Sequence, residues 1–165
     1  MFDDLFLRRE MFRHACTFCE CADLAAKEEF HKTADIGMYY TAANVNSALA
    51  CEIFCKALLK HFEIEHGRIH KLNELFVLFP EDLQTQIKQR LFFEYGYAWN
   101  NKWGMPYMDN ISNAFAQWRY IYEHDWEKSS VIVMETGFLN AFRNVLRDVC
   151  CLQLFCKNWN DYKES

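Results

Sequence analysis

Glycine and proline are scarce in this chain, 5 and 2 among 165 residues. A turn-rich β architecture needs both at its corners, so their scarcity argues for long helices instead. A basic excess is also missing. Lys and Arg number 18 against 23 Asp and Glu, a net charge of −5, unlike a protein that coats nucleic acid, although a small local basic site remains compatible. No apolar run approaches the roughly 18–20 residues of a membrane span, because Lys, Arg, Glu or Asp interrupts each candidate. The opening Met1-Phe2-Asp3-Asp4 puts acid first and leads to no small-residue cleavage site, so it does not read as a signal peptide. The expectation is a cytoplasmic protein with no membrane partner. There is no phosphate-cradling glycine loop and no nucleophile elbow, and His14, His31, His61 and His66 lack zinc-protease spacing. No cofactor is expected.

Apolar material is plentiful. The chain is 52% hydrophobic and 17% aromatic, enough for one sizeable core, and residues 1–165 read as a single domain. Eight cysteines stand at 16, 19, 21, 51, 55, 150, 151 and 156. Cys16 with Cys19 and Cys51 with Cys55 have the spacing to share helix faces, so two helices offer a zinc reading. The pairs lack a knuckle turn between them, and the reading adopted is of buried cysteines acting as small hydrophobes, with no metal.

Periodicity divides the chain into helices. Residues 3 to 33 carry Leu5, Phe12, Ala15, Cys16, Cys19, Ala22, Ala26 and Phe30 on one face, with Ile36 and Gly37 as an interruption. A second helix, about 38 to 63, is apolar on nearly all sides from Ala48 to Phe62 and should lie at the centre. Gly67 is the expected breaker after it. A short helix, Lys71 to Phe79, stops at Pro80, and Glu81 and Asp82 start another of about 81 to 94. Residues 95 to 108 read as irregular, with Tyr95, Tyr97, Trp99, Trp103 and Tyr107 near Lys102. That cluster is either a base-stacking surface or a hydrophobic plug folded onto the bundle. Asp109 or Asn110 should cap a helix to about Glu123, and a last helix should span about 134 to 159. The fold expected is all-α, an antiparallel bundle of five to six helices.

Two stretches carry more than packing. Glu52 and Lys56 lie four apart on the second helix, Glu on the N-terminal side, the favourable order for an ion pair. Ala50-Cys51-Glu52 through Lys56-Ala57-Leu58-Leu59, followed by Gly67-Arg68-Ile69-His70-Lys71-Leu72 and Leu75-Phe76, resembles the HEPN domain (higher eukaryotes and prokaryotes nucleotide-binding). The resemblance extends to Ala114-Phe115-Ala116-Gln117-Trp118-Arg119-Tyr120-Ile121-Tyr122-Glu123-His124 and covers roughly residues 36 to 160. It implies a HEPN-like bundle acting in RNA or nucleotide biology, usually as a homodimer, with an antitoxin or other protein partner in some members.

Many such domains are metal-independent endoribonucleases with Arg, four to six residues, then His. Arg119 and His124 fit that pattern, which implies a guanidinium that holds the scissile phosphate and an imidazole that moves the proton. The same residues also admit a non-catalytic reading. On a continuous helix, positions five apart point about 140° from each other, and Arg119 lies four residues from Glu123, a ready partner. Tyr120 and Trp126 stand where the nuclease branches often carry a small polar residue and a Tyr. An endoribonuclease and a non-catalytic module that binds a nucleotide, RNA or protein are thus the two functions expected.

Overall fold

The computed structural model describes residues 4–27, 36–99, 104–113, 115 and 134–164. Among them there are seven helices and no strand: α1 (Asp4–Ala25), α2 (Ile36–His61), α3 (Leu72–Val77), α4 (Glu81–Tyr95), α5 (Gly104–Ser112), α6 (Thr136–Phe155) and α7 (Trp159–Lys163). The all-α expectation is met, with two helices of six residues or fewer.

The core follows the sequence stripes. Phe12, Ala15, Cys19 and Ala22 on α1 are buried at gaps of three and four, the spacing that sets side chains on one helix face. On α2, Ala50, Cys51, Phe54, Cys55, Ala57, Leu58 and Leu59 are fully buried. The central place is shared, because α6 buries eleven residues from Phe138 to Leu154. Contacts fix the directions. Phe12 meets both Phe54 and Phe155, whereas Arg143 reaches both Asp23 and Ser47. Helix α1 is therefore antiparallel to α2 and α6, but α2 and α6 run in the same direction, unlike a purely antiparallel bundle. The residues between α2 and α6 carry the chain back to the end where α2 began.

By length and composition Tyr39–His61 does pass as a membrane span, contrary to the sequence expectation, yet 67% of its most apolar window is buried inside the fold. Glu52 and Lys56 fall within it but leave the surrounding run apolar. Its hydrophobicity is spent on the protein interior.

Several boundaries differ from expectation, each for a local reason. Helix α1 ends at Ala25, well short of residue 33, and the Lys27 amide reaches back only three residues to the Leu24 carbonyl (3.1 Å). Ile36 and Gly37 belong to α2 instead of interrupting it. The far end of α2 is closed by Glu63, not Gly67. Glu63 adopts a left-handed φ of 57°, its amide bonds the Lys60 carbonyl and that of Ile64 bonds the Leu59 carbonyl, the pairing of a Schellman cap. Helix α5 begins at Gly104, inside the stretch read as irregular, with Pro106 in its first turn where a missing N–H costs nothing. Asp109 and Asn110 consequently lie within the helix, and their side chains brace other segments: Asn73 Nδ2 donates to Asp109 Oδ1 (2.9 Å) and the Glu135 amide to Asn110 Oδ1 (2.8 Å). Finally, α6 stops at Phe155 because Cys156 turns left-handed (φ 54°), and Asn158 caps the separate α7 by accepting from the Asp161 amide (2.9 Å).

Candidate functional site

Helix α2 presents Glu52 from within an apolar run, and the carboxylate is buried, with the side chain 8% exposed. A buried carboxylate requires charge and hydrogen-bond partners. Lys56, one turn later, donates to Glu52 Oε1 at 2.7 Å. His70, in the loop before α3, brings Nδ1 to 2.8 Å of the same oxygen. An ionised carboxylate only accepts, so the imidazole donates to it through Nδ1–H. The imidazole is largely outside, its side chain 68% exposed. Glu52 Oε2 is buried with no hydrogen-bond partner among the described residues.

The loop that delivers His70 is held by a second set of contacts. At the start of α3, Ser112 accepts from the Asn73 amide (3.2 Å) and donates to the Asn73 side-chain oxygen. Beside this contact His70, Lys71, Ser112, Asn113 and Phe115 line a cavity of about 40 Å³. A water fits such a space, but ligand sites usually measure roughly 300–1,000 Å³. The node can position an imidazole; it does not by itself enclose a nucleotide.

Arg119 and His124, the residues expected to bind phosphate and transfer the proton, lie outside the described residues, as do Glu123 and Trp103. Sequence reasoning paired Glu52 with Lys56 and missed His70 as the third member. The signal was present in outline, since Glu52 and His70 sit in the two consecutive stretches that carry the HEPN resemblance; the 18-residue gap hides the contact from any periodicity.

The aromatic stretch is folded onto the bundle where it is described. Trp99 packs on Phe76 (5.1 Å between centroids), and Tyr97 and Tyr107 both pack on Phe138 (5.2 Å each). Lys88 from α4 lies over Trp99 (5.4 Å), and Lys102 lies outside the described residues. This geometry favours the plug over a base-stacking surface, with Tyr95 still exposed.

Five of the eight cysteines behave as core, whereas Cys16 is half-buried and Cys21 and Cys156 are exposed, contrary to the reading of all eight as buried. Cys19, Cys51, Cys55, Cys150 and Cys151 are buried and none is in a disulfide. Burial pushes the Cys51, Cys55 and Cys150 thiols well above their ordinary range, which disfavours the thiolate that metal binding needs. Among the described residues no group of three or more His, Cys, Asp or Glu is arranged to hold a metal ion.

Comparison with protein-family models, with curated proteins and with solved structures finds no match.

Proposed function

We propose that this chain is a HEPN-like helical module that acts on RNA, cleaving it without metal through Arg119 and His124. The observation that supports this reading is the meeting of its two motif stretches at one atom: Lys56 and His70 both engage Glu52 Oε1. Residues that resemblance selected by spacing alone are thereby joined in one structural unit. Phe115 lines the cavity beside His70, and the segment with Arg119 and His124 follows it directly in sequence. In the reaction, Arg119 binds the scissile phosphate through a forked contact and His124 takes or gives the proton of the 2′-hydroxyl or leaving oxygen. Two copies of the chain form the working cleft, in the cytoplasm, with an antitoxin or other protein as a regulatory partner.

The test is cleavage of single-stranded RNA in EDTA, read alongside melting temperature. Wild-type protein should cut, while Arg119→Ala and His124→Ala should each abolish cutting with melting nearly unchanged. Intact RNA across a broad substrate panel, with Arg119→Ala alone lowering stability, would defeat the nuclease reading.

A second reading, a non-catalytic module that binds a nucleotide, RNA or protein, is favoured by the way Glu52, Lys56 and His70 engage one another. A carboxylate that is occupied by two internal partners serves packing and register without any substrate.

A further inference from the structure

Arg9 and Arg13 lie one turn apart on α1, and across from them the chain turns from α6 into α7 at Cys156–Asn158. Together Arg9, Arg13, Phe155, Lys157 and Tyr162 line a groove of about 540 Å³. Its size falls within the roughly 300–1,000 Å³ of small-molecule sites. Three of the five lining residues are cations and none is acidic, in a chain whose net charge is −5.

The cations are incompletely answered. Arg13 is engaged by the Tyr162 hydroxyl and bonds to Glu10 on its own helix. Arg9 has no hydrogen bond or ion pair among the described residues; its Nε is buried without a partner, and its guanidinium lies over the Phe155 ring, 5.3 Å from the centroid. Lys157 is exposed and has no carboxylate partner among the described residues. The guanidinium of Arg9 and the ammonium of Lys157 meet no carboxylate among the described residues, so an anion in the groove would be held by charge-assisted contacts.

The floor is rigid. Phe155 packs on Phe12 (5.2 Å) and Tyr162 (4.6 Å), and Tyr162 stacks on Trp159 (5.8 Å). Arg147 and Lys163 lie over the Trp159 ring at 4.5 and 5.6 Å. A fixed aromatic floor holds Arg9 in place before any ligand arrives, which reduces the ordering cost of binding.

We propose that this groove is a binding site for a phosphate-bearing small ligand, whose phosphate is held by Arg9, Arg13 and Lys157 over Phe155 and Tyr162. The site uses none of the residues assigned to RNA cleavage, so it stands or falls independently of that activity.

The experiment is calorimetric titration of the full chain with adenosine 5′-monophosphate, adenosine and inorganic phosphate, at low and raised salt. The nucleotide should bind, adenosine should not, and raised salt should weaken the complex. Inorganic phosphate separates two sources of affinity: binding equal to that of the nucleotide assigns the site to the phosphate alone, and tighter nucleotide binding adds a contribution from the rest of the ligand. Arg9→Gln should weaken binding about tenfold or more, the effect of losing one charge-assisted contact. Because Arg9 also packs on Phe155, Lys157→Glu at the exposed rim provides the same test with the floor intact, melting temperature being read on both variants. The proposal is overturned if neither phosphate nor the nucleotide binds at millimolar concentration, if adenosine binds as well as its monophosphate, or if Lys157→Glu binds as tightly as wild type.

Discussion

Two regions of this molecule gather basic side chains and treat them differently. At Glu52, Lys56 and His70 converge on a buried carboxylate supplied by the chain itself. In the groove between α1 and the α6–α7 connection, Arg9 and Lys157 meet no carboxylate among the described residues, and the floor beneath them is aromatic. The first arrangement is closed: its charges cancel internally and tie α2 to the loop before α3. The second is open, and its charge is available to an anion from outside. Type of residue alone does not distinguish a structural cation from a binding one. Whether the fold answers it does.

The largest effect should come from the floor of the open region. Phe12 is fully buried and touches Phe54, Phe155, Trp159 and Tyr162, so Phe12→Ala should cost about 3–5 kcal/mol in urea unfolding. A loss below about 1 kcal/mol would mean that the aromatic floor is not packed as described.

The closed region should follow. Glu52→Ala leaves Lys56, with a side chain only 16% exposed, without its anion, and removing one member of a buried pair costs about 3 kcal/mol. Replacing both, as Glu52→Met with Lys56→Met, should recover most of that loss, because no stranded charge remains. A double variant as unstable as Glu52→Ala would show that the carboxylate has a role beyond answering cations.

Much of this comparison was legible in the sequence, and the exceptions share a cause. The stripe Phe12, Ala15, Cys19, Ala22 and the stop at Pro80 follow from local spacing, as does the Glu52–Lys56 pair. Glu63 and Cys156 end helices in left-handed conformations that glycine usually adopts, so neither announces the break. Asp109 and Asn110 have the chemistry of N-caps, but tertiary partners at Asn73 and Glu135 use their side chains instead. His70 joins Glu52 across 18 residues, and Lys157 faces residues of α1 nearly the whole chain away. Contacts of that range depend on how the helices assemble, which no window of sequence contains. The expected nuclease pair, Arg119 and His124, lies outside the described residues.

A smaller effect concerns pH at the far end of α1 and α2. His61 stands beside Arg8, 3.5 Å from Nδ1 to Nη1. Burial and the neighbouring guanidinium lower its pKa below the ordinary 6.5. A depressed folded-state pKa contributes stability that is present above the unfolded value and lost as pH falls through the folded one. Stability should therefore decline on acidification below about pH 6.5, and His61→Gln should flatten that part of the profile. An unchanged slope in the variant would remove His61 as its source.

The closed region rests most directly on the contact between His70 and Glu52, which joins the two motif stretches. A double-mutant cycle of Glu52→Gln and His70→Asn, measured by urea unfolding at a pH where wild type is fully folded, isolates that contact. The structure predicts a coupling of about 1 kcal/mol, the scale of a charge-assisted hydrogen bond with one exposed partner. Strict additivity of the two substitutions would contradict the account, since it would mean that Glu52 and His70 do not meet.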